Sequence, residues 1–221
     1  MKDAGGFGTI NTYYGGLYGT YYADFGLYAD ASFIGGASRY RSSRYIRFPG
    51  VARTAKGRHW GNELSLQVEL GYTLEWEDMI FQPFVNAIVF TGREQAYTEF
   101  GADSIDLTVQ RLPAHLWSIE AGVQWSGSWR SEAGTIIQPL FKLSYIHQET
   151  FSMSNTLTSG FVGQTQLFEV TLDNRPRNQF APAGSFTVLY PNGLYLNFTY
   201  AGQFFGPSLT QNGLTRFGYV F

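Results

Sequence analysis

The sequence predicts an all-β chain, an antiparallel sheet curled into a barrel that crosses a membrane with its strands. Three observations carry that expectation. Apolar and polar residues alternate with a period of two over most of the 221 residues. The alternating runs last roughly ten to fourteen residues, against about 5–6 for a globular strand and about 9–11 for a tilted strand spanning a bilayer. The connections between runs alternate between short turns and long loops, the asymmetry of a barrel with one loop-rich rim.

Nine strands follow in order: 9–22, 24–40, 59–76, 79–92, 114–129, 135–148, 179–190, 193–204 and 211–221. The third is the clearest. Leu64, Leu66, Val68, Leu70, Tyr72, Leu74 and Trp76 alternate with Ser65, Gln67, Glu69, Gly71, Thr73 and Glu75. The fifth sets Trp117, Ile119, Ala121, Val123, Trp125 and Trp129 against Ser118, Glu120, Gly122, Gln124, Ser126 and Ser128. The sixth sets Ile137, Pro139, Phe141, Leu143 and Tyr145 against Gln138, Lys142 and Ser144, and the eighth sets Leu194, Leu196, Phe198, Tyr200 and Phe204 against Tyr195, Asn197, Thr199 and Gln203. Short turns are expected at Ala23-Asp24, Glu77-Asp78, Arg130 to Gly134 and Pro191-Asn192-Gly193. Long loops are expected at 41–58, 93–113 and 149–178, with a shorter one at 205–210. Ile105, Leu107 and Val109 alternate with Asp106, Thr108 and Gln110, so 96–112 could add a tenth strand.

Composition narrows the class. Aromatic residues make up 18% of the chain, charged residues only 14%, and the net charge is −2. No long uncharged apolar run exists, so a transmembrane helix is not expected. The near-neutral balance gives no basis for nucleic-acid binding. With no Cys there is no disulfide, thiolate metal site or thiol nucleophile. The start, Met1 to Gly6, has no apolar h-region of a signal peptide.

The two faces point to a membrane rather than to water. The polar face carries Glu69, Glu120, Gln124 and Lys142 among small residues, a mixture suited to a solvated lumen. The apolar face carries side chains too large for the interior of a small barrel, which about eight strands just fill. Its aromatics cluster at strand ends: Trp76, Trp129 and Tyr190 beside the short turns, Trp60, Trp117, Phe90, Tyr145 and Phe204 toward the long loops. Two such belts are the interfacial girdles of an antiparallel transmembrane barrel of the outer-membrane type. A soluble barrel with aromatics plugging its mouth is the competing reading.

The chain ends Phe217-Gly218-Tyr219-Val220-Phe221. Alternating Phe217, Tyr219 and terminal Phe221 resemble the signature read by the bacterial barrel assembly machinery. With Leu17-Tyr18-Gly19-Thr20-Tyr21, Gly26 to Ala31, Glu69-Leu70-Gly71-Tyr72, Gln82-Pro83-Phe84, Tyr97 to Ala102, Ala183-Gly184 and Leu196 to Phe204, the sequence from about Asn11 to Phe221 resembles the C-terminal β-domain of classical autotransporters. That resemblance implies a twelve-stranded barrel in the bacterial outer membrane, which anchors an N-terminal passenger and lets it reach the cell surface by type V secretion. It implies membrane lipids, the assembly machinery and the passenger as partners, and no enzymatic activity or cofactor. The chain departs from the family pattern in lacking a passenger and a signal peptide and in starting near the family's fourth strand. The expectation is one domain over 1–221, without its first strands. The alternatives are a self-contained porin or channel, an adhesin barrel, and an outer-membrane hydrolase.

The remaining candidates are weaker. His59, His115 and His147 lie on three strands near the long-loop rim without a metal or triad spacing. Solvated rim histidines are the simpler reading. Gly5-Gly6-Phe7-Gly8 is no phosphate loop, because no helical pattern follows. The segment 41–58 holds Arg41, Arg44, Arg47, Arg53, Lys56 and Arg58 and no acid. Arg44, Arg47 and Arg53 could contact lipopolysaccharide phosphates. Equally, they could pair with Glu94, Glu99, Asp103 and Asp106 of the next loop. Glu69, Glu120 and Lys142 could form a lumen charge network that sets pore polarity.

Overall fold

The computed structural model describes residues 5–150, 156–171, 177–206 and 208–220. Its main feature is one antiparallel sheet. Strands β1 (Gly6–Tyr22), β2 (Leu27–Phe48) and β3 (Val51–Tyr72) are followed by a short β4 (Leu74–Trp76) and by β5 (Met79–Glu94). Two small strands, β6 (Tyr97–Thr98) and β7 (Leu107–Val109), precede β8 (Leu112–Gly127), β9 (Trp129–Arg130) and β10 (Ile136–Thr150). After β11 (Thr156–Phe161) and β12 (Leu167–Thr171) come β13 (Asn178–Leu189), β14 (Leu194–Phe205) and β15 (Ser208–Tyr219). The path through the sheet is β1-β2-β3-β5-β8-β10-β13-β14-β15, with β4 and β9 continuing β3 and β8 alongside β5 and β10. These are the nine expected strands in their expected order.

The sheet curls, and its two faces differ as the alternation requires. Residues opposite one another in an antiparallel ladder share a face, so Leu70, Val85 and Ala121 form one outward row and Glu69, Asn86 and Glu120 an inward one. Outward Val85 and Leu143 are 51% and 47% exposed, whereas inward Asn86 and Ser144 are 4% and 3% exposed. Large apolar residues thus cover the convex face and polar ones line the concave face, the inverse of a water-soluble barrel.

Three expectations are corrected. The segment 41–58 is not a loop: β2 and β3 stay paired from Leu27↔Tyr72 to Phe48↔Val51 and turn through Pro49-Gly50, where Gly50 takes the positive φ that favours glycine. The hairpin was hidden because both of its faces lie beyond the apolar band, so its hydrophobic alternation disappears while its pairing persists. The segment 96–112 adds no wall strand. Its β6 and β7 join β11 and β12 in a separate four-stranded sheet, ordered β12-β11-β7-β6. The connection at 205–210 is shorter than expected, since β14 and β15 pair through to Phe205↔Ser208.

Among the described residues, β1 pairs only with β2 and β15 only with β14. The consequence shows on β1. Tyr18 lies opposite Ser32 on the concave face, yet it is 90% exposed because no strand flanks it on its other side.

Candidate functional site

The concave face is knitted by polar side chains from successive strands. The Tyr28 hydroxyl on β2 donates to the Glu69 carboxylate on β3 at 3.0 Å. Gln124 on β8 donates to Gln82 on β5 at 3.3 Å, and Gln82 donates to Thr73 at 3.1 Å. Lys142 Nζ on β10 lies 2.7 Å from Glu120 on β8 and 4.5 Å from the centre of the Phe84 ring. Asn86 donates to the same Glu120 carboxylate at 3.5 Å. Glu69, Glu120, Gln124 and Lys142 therefore share the concave face, but in separate groups. The one direct ion pair among them is Glu120–Lys142.

Trp60, Trp76, Trp117 and Trp129 all belong to the outward rows: Trp60 opposite Arg39, Trp76 opposite Met79, Trp117 opposite Val89 and Trp129 opposite Ile137. Trp117 and Trp129 are twelve residues apart, which at about 3.3 Å per residue and a tilt near 45° spans roughly 28 Å along a membrane normal. That matches the ~30 Å hydrocarbon layer of a bilayer. Phe217 and Tyr219 are opposite Leu196 and Leu194, also outward, on β15, the last strand of the sheet path. Phe221 lies outside the described residues.

At the long-loop rim the small sheet is clamped onto the β2–β3 hairpin. Lys56 and Phe100 exchange backbone hydrogen bonds of 2.9 and 3.0 Å. Arg44 pairs with Glu99, through Nε at 3.3 Å and through a second guanidinium nitrogen, and also donates to the Ile105 carbonyl at 2.9 Å. Arg53 pairs with Asp103 at 3.2 Å and donates to the Ala102 carbonyl at 2.8 Å. The Asp106 carboxylate accepts the Ala102 N–H at 3.0 Å. Two of the three arginines considered for lipid phosphate are thus occupied by acids of the neighbouring loop. Arg47 is outward and exposed.

The histidines do not converge. His59 is inward, stacked between Tyr40 and Tyr97 with ring centres 4.6 and 4.2 Å away, and its Nε2 is 3.2 Å from Glu94. Gly57 makes that stack possible, because a Cβ there would lie 2.8 Å from the Tyr97 ring. Burial, then the Glu99 and Glu94 carboxylates, push the Tyr97 phenol above its ordinary value. His115 is outward against Thr91 at 2.7 Å, and outward His147 meets Asn178 at 2.8 Å. Among the described residues no three His, Asp or Glu side chains come together in a way that could hold a metal ion. The sequence reading missed the Tyr40–His59–Tyr97 stack. No local signal for it exists, because its members come from three strands.

A curled sheet with an apolar outside, a polar inside, aromatic belts and one elaborated rim is the wall of a transmembrane β-barrel. The autotransporter beta-domain family matches residues 1–201, and the chain belongs to that family of translocator barrels. Among solved structures, the beta domain of the Bordetella autotransporter BrkA is similar over 96% of this chain and 73% of its own, with TM-score 0.55 and 16% identity. At that identity the likeness shows the fold. The transport unit of the autotransporter AIDA-I from Escherichia coli aligns with 100% of this chain and 86% of its own, with TM-score 0.27 and 14% identity. No curated protein matches the chain.

Proposed function

We propose that the chain is the outer-membrane anchor and translocator barrel through which an N-terminal passenger reaches the cell surface by type V secretion. The observation that carries this reading is the inversion of the sheet, apolar outward and polar inward, in a member of the autotransporter beta-domain family. The outward rows anchor the wall in lipid. The polar concave face gives a translocating segment hydrogen-bonding groups in place of water. Phe217, Tyr219 and Phe221 mark the last strand for the barrel assembly machinery. The chain performs no covalent chemistry.

Among the described residues the wall of the domain proposed over 1–221 ends in two free strand edges, on β1 and on β15. Unpaired backbone N–H and C=O groups in hydrocarbon each cost several kcal/mol, so further strands must occupy the free edges of β1 and β15. Genomic DNA upstream of Met1 tests this first. An in-frame extension encoding alternating strands and a passenger is the expected result, and a stop codon there removes the export reading. In the full reading frame, an epitope in the passenger should be labelled on intact cells while the barrel fractionates with the outer membrane. An epitope confined to the periplasm, with the barrel in place, leaves the anchor and removes the translocator.

A further inference from the structure

The β2–β3 hairpin sorts its cations by face. Arg44 and Arg53 point inward and are occupied by Glu99 and Asp103. Arg39, Arg41 and Arg47 of β2 and Lys56 and Arg58 of β3 point outward. In register, Arg39 is opposite Trp60, Arg41 opposite Arg58, Lys56 opposite Ser43 and Arg47 opposite Ala52. No acid occurs on this outward face between Arg39↔Trp60 and Arg47↔Ala52. Among the described residues none of the five cations has an ion pair. Arg39 lies over the Trp60 ring at 5.8 Å and Arg58 over the Phe100 ring at 5.6 Å, so aromatic faces hold two guanidinium groups in place.

Two features make this more than a solvated edge. Arg41 and Arg58 are directly opposite on one face, a like-charge pair that destabilises a ladder unless an anion sits between its members. The same outward face also runs without a break from the apolar rows Ala31↔Val68, Phe33↔Leu66 and Gly35↔Leu64 into the cationic ones. Trp60 and Trp76 are sixteen residues apart, which projects to roughly 37 Å along the membrane normal, and each further same-face pair adds about 5 Å. The first cationic row, Arg39↔Trp60, therefore lies about 7 Å beyond the ~30 Å hydrocarbon layer, at the depth of the headgroups.

Resting on the outer-membrane reading above, we propose that the outward face of the β2–β3 hairpin binds the phosphate groups of phosphorylated glycolipids in the leaflet at the long-loop rim. Arg41 and Arg58 form the centre of the patch, Arg39 its membrane edge and Lys56 its outer edge, whereas Arg47, about 20 Å farther than Arg39 along the membrane normal, lies beyond it. Each guanidinium presents paired N–H donors that match a phosphate's oxygens. The acyl chains of the same lipid then lie against Phe33, Leu64 and Leu66.

The test uses the full chain extracted from outer membranes in detergent. Native mass spectrometry measures retention of lipid A carrying two, one or no phosphates, for the parent protein, for Arg41→Ala/Lys56→Ala/Arg58→Ala and for Arg41→Lys/Arg58→Lys. The expected result is retention that falls with each phosphate removed, drops at least tenfold in the alanine variant and is intermediate in the lysine variant. Millimolar inorganic phosphate should not displace the lipid. Equal retention of phosphorylated and dephosphorylated lipid A overturns the proposal, as does an alanine variant that folds and binds like the parent. Displacement by inorganic phosphate means a site for soluble anions and also overturns it. If the alanine variant fails to fold, the phosphate series on the parent protein decides. Absence of the chain from outer membranes overturns this proposal and the membrane reading together, whereas a membrane-resident chain indifferent to phosphate overturns this proposal alone.

Discussion

The wall and the rim sheet are both antiparallel β-structure, but they are held in different ways. The wall's ladders are long: β2 and β3 pair without interruption from Leu27↔Tyr72 to Phe48↔Val51, and β5 and β8 from Met79↔Gly127 to Glu94↔Leu112. Among the described residues the rim ladders are short, with two pairs between β6 and β7, three between β7 and β11 and five between β11 and β12. So few backbone bonds do not hold a sheet in water without further packing. The rim makes up the difference with side chains: Arg44 on Glu99, Arg53 on Asp103, Asp106 on its own loop, and the Tyr40–His59–Tyr97 stack. The lesson is that backbone repetition organises the wall and a few charged contacts organise the rim. Single substitutions should therefore act globally in the first and locally in the second.

The largest expected effect is in the wall. Lys142→Met leaves the Glu120 carboxylate on the concave face without its cation. Breaking such a pair, whose side chains are 30% and 14% exposed rather than fully buried, should cost about 3 kcal/mol, the low end for buried pairs. The urea midpoint of the detergent-folded protein should fall accordingly, and adding Glu120→Gln should recover most of the loss. A midpoint unchanged by Lys142→Met would place the pair among solvated surface contacts. Next is Val85→Arg, in the middle of the outward rows, which should cost about 2–4 kcal/mol in a bilayer and far less in aqueous urea. Equal effects in the two media would deny the lipid-facing assignment.

Rim substitutions should be smaller and confined. Arg44→Ala strands Glu99, whose side chain is 6% exposed, at a local cost of about 2 kcal/mol. Limited proteolysis should cut within 95–111 in this variant while the urea midpoint of the wall stays put. A shifted midpoint would mean that the two regions unfold as one. The smallest effect is pH-dependent. The folded state raises the Tyr97 pKa above the ordinary value of 10.0, so it holds the phenolic proton more tightly than the unfolded chain does. The resulting stabilisation is complete below about pH 10 and is lost as pH rises through the folded-state value. The protection factors at Tyr97–Phe100, with base-catalysed intrinsic exchange divided out, should fall over that range. Tyr97→Phe should lessen the fall, leaving the part due to Tyr40, whose phenol pKa burial also raises.

How legible each region was follows from the same contrast. The wall repeats one rule, apolar out and polar in at every second residue, so runs such as Leu64–Trp76 and Trp117–Trp129 disclosed strand order and both faces. The outer halves of β2 and β3 were illegible by that rule, because Arg41–Arg47 and Arg53–Arg58 lie beyond the apolar band and carry cations on both faces, leaving no apolar face to alternate. Pro49-Gly50 marked their turn, but the arginine-rich composition read as a loop. At the rim the sequence offered both partners, lipid phosphate and the acids of 93–113, without ranking them.

The sequence by itself determined the class of fold, the polarity of each face and the abundance of cations beside the third strand, because these depend on period and composition. The tertiary structure alone decided which cations face inward to Glu99 and Asp103 and which face outward. It also decided that 96–112 joins a rim sheet rather than the wall, and that His59 is stacked between two tyrosines. The physical reason is register. A shift of one residue exchanges the two faces of a strand, and register is fixed by pairing between strands far apart in the chain, which no local pattern records.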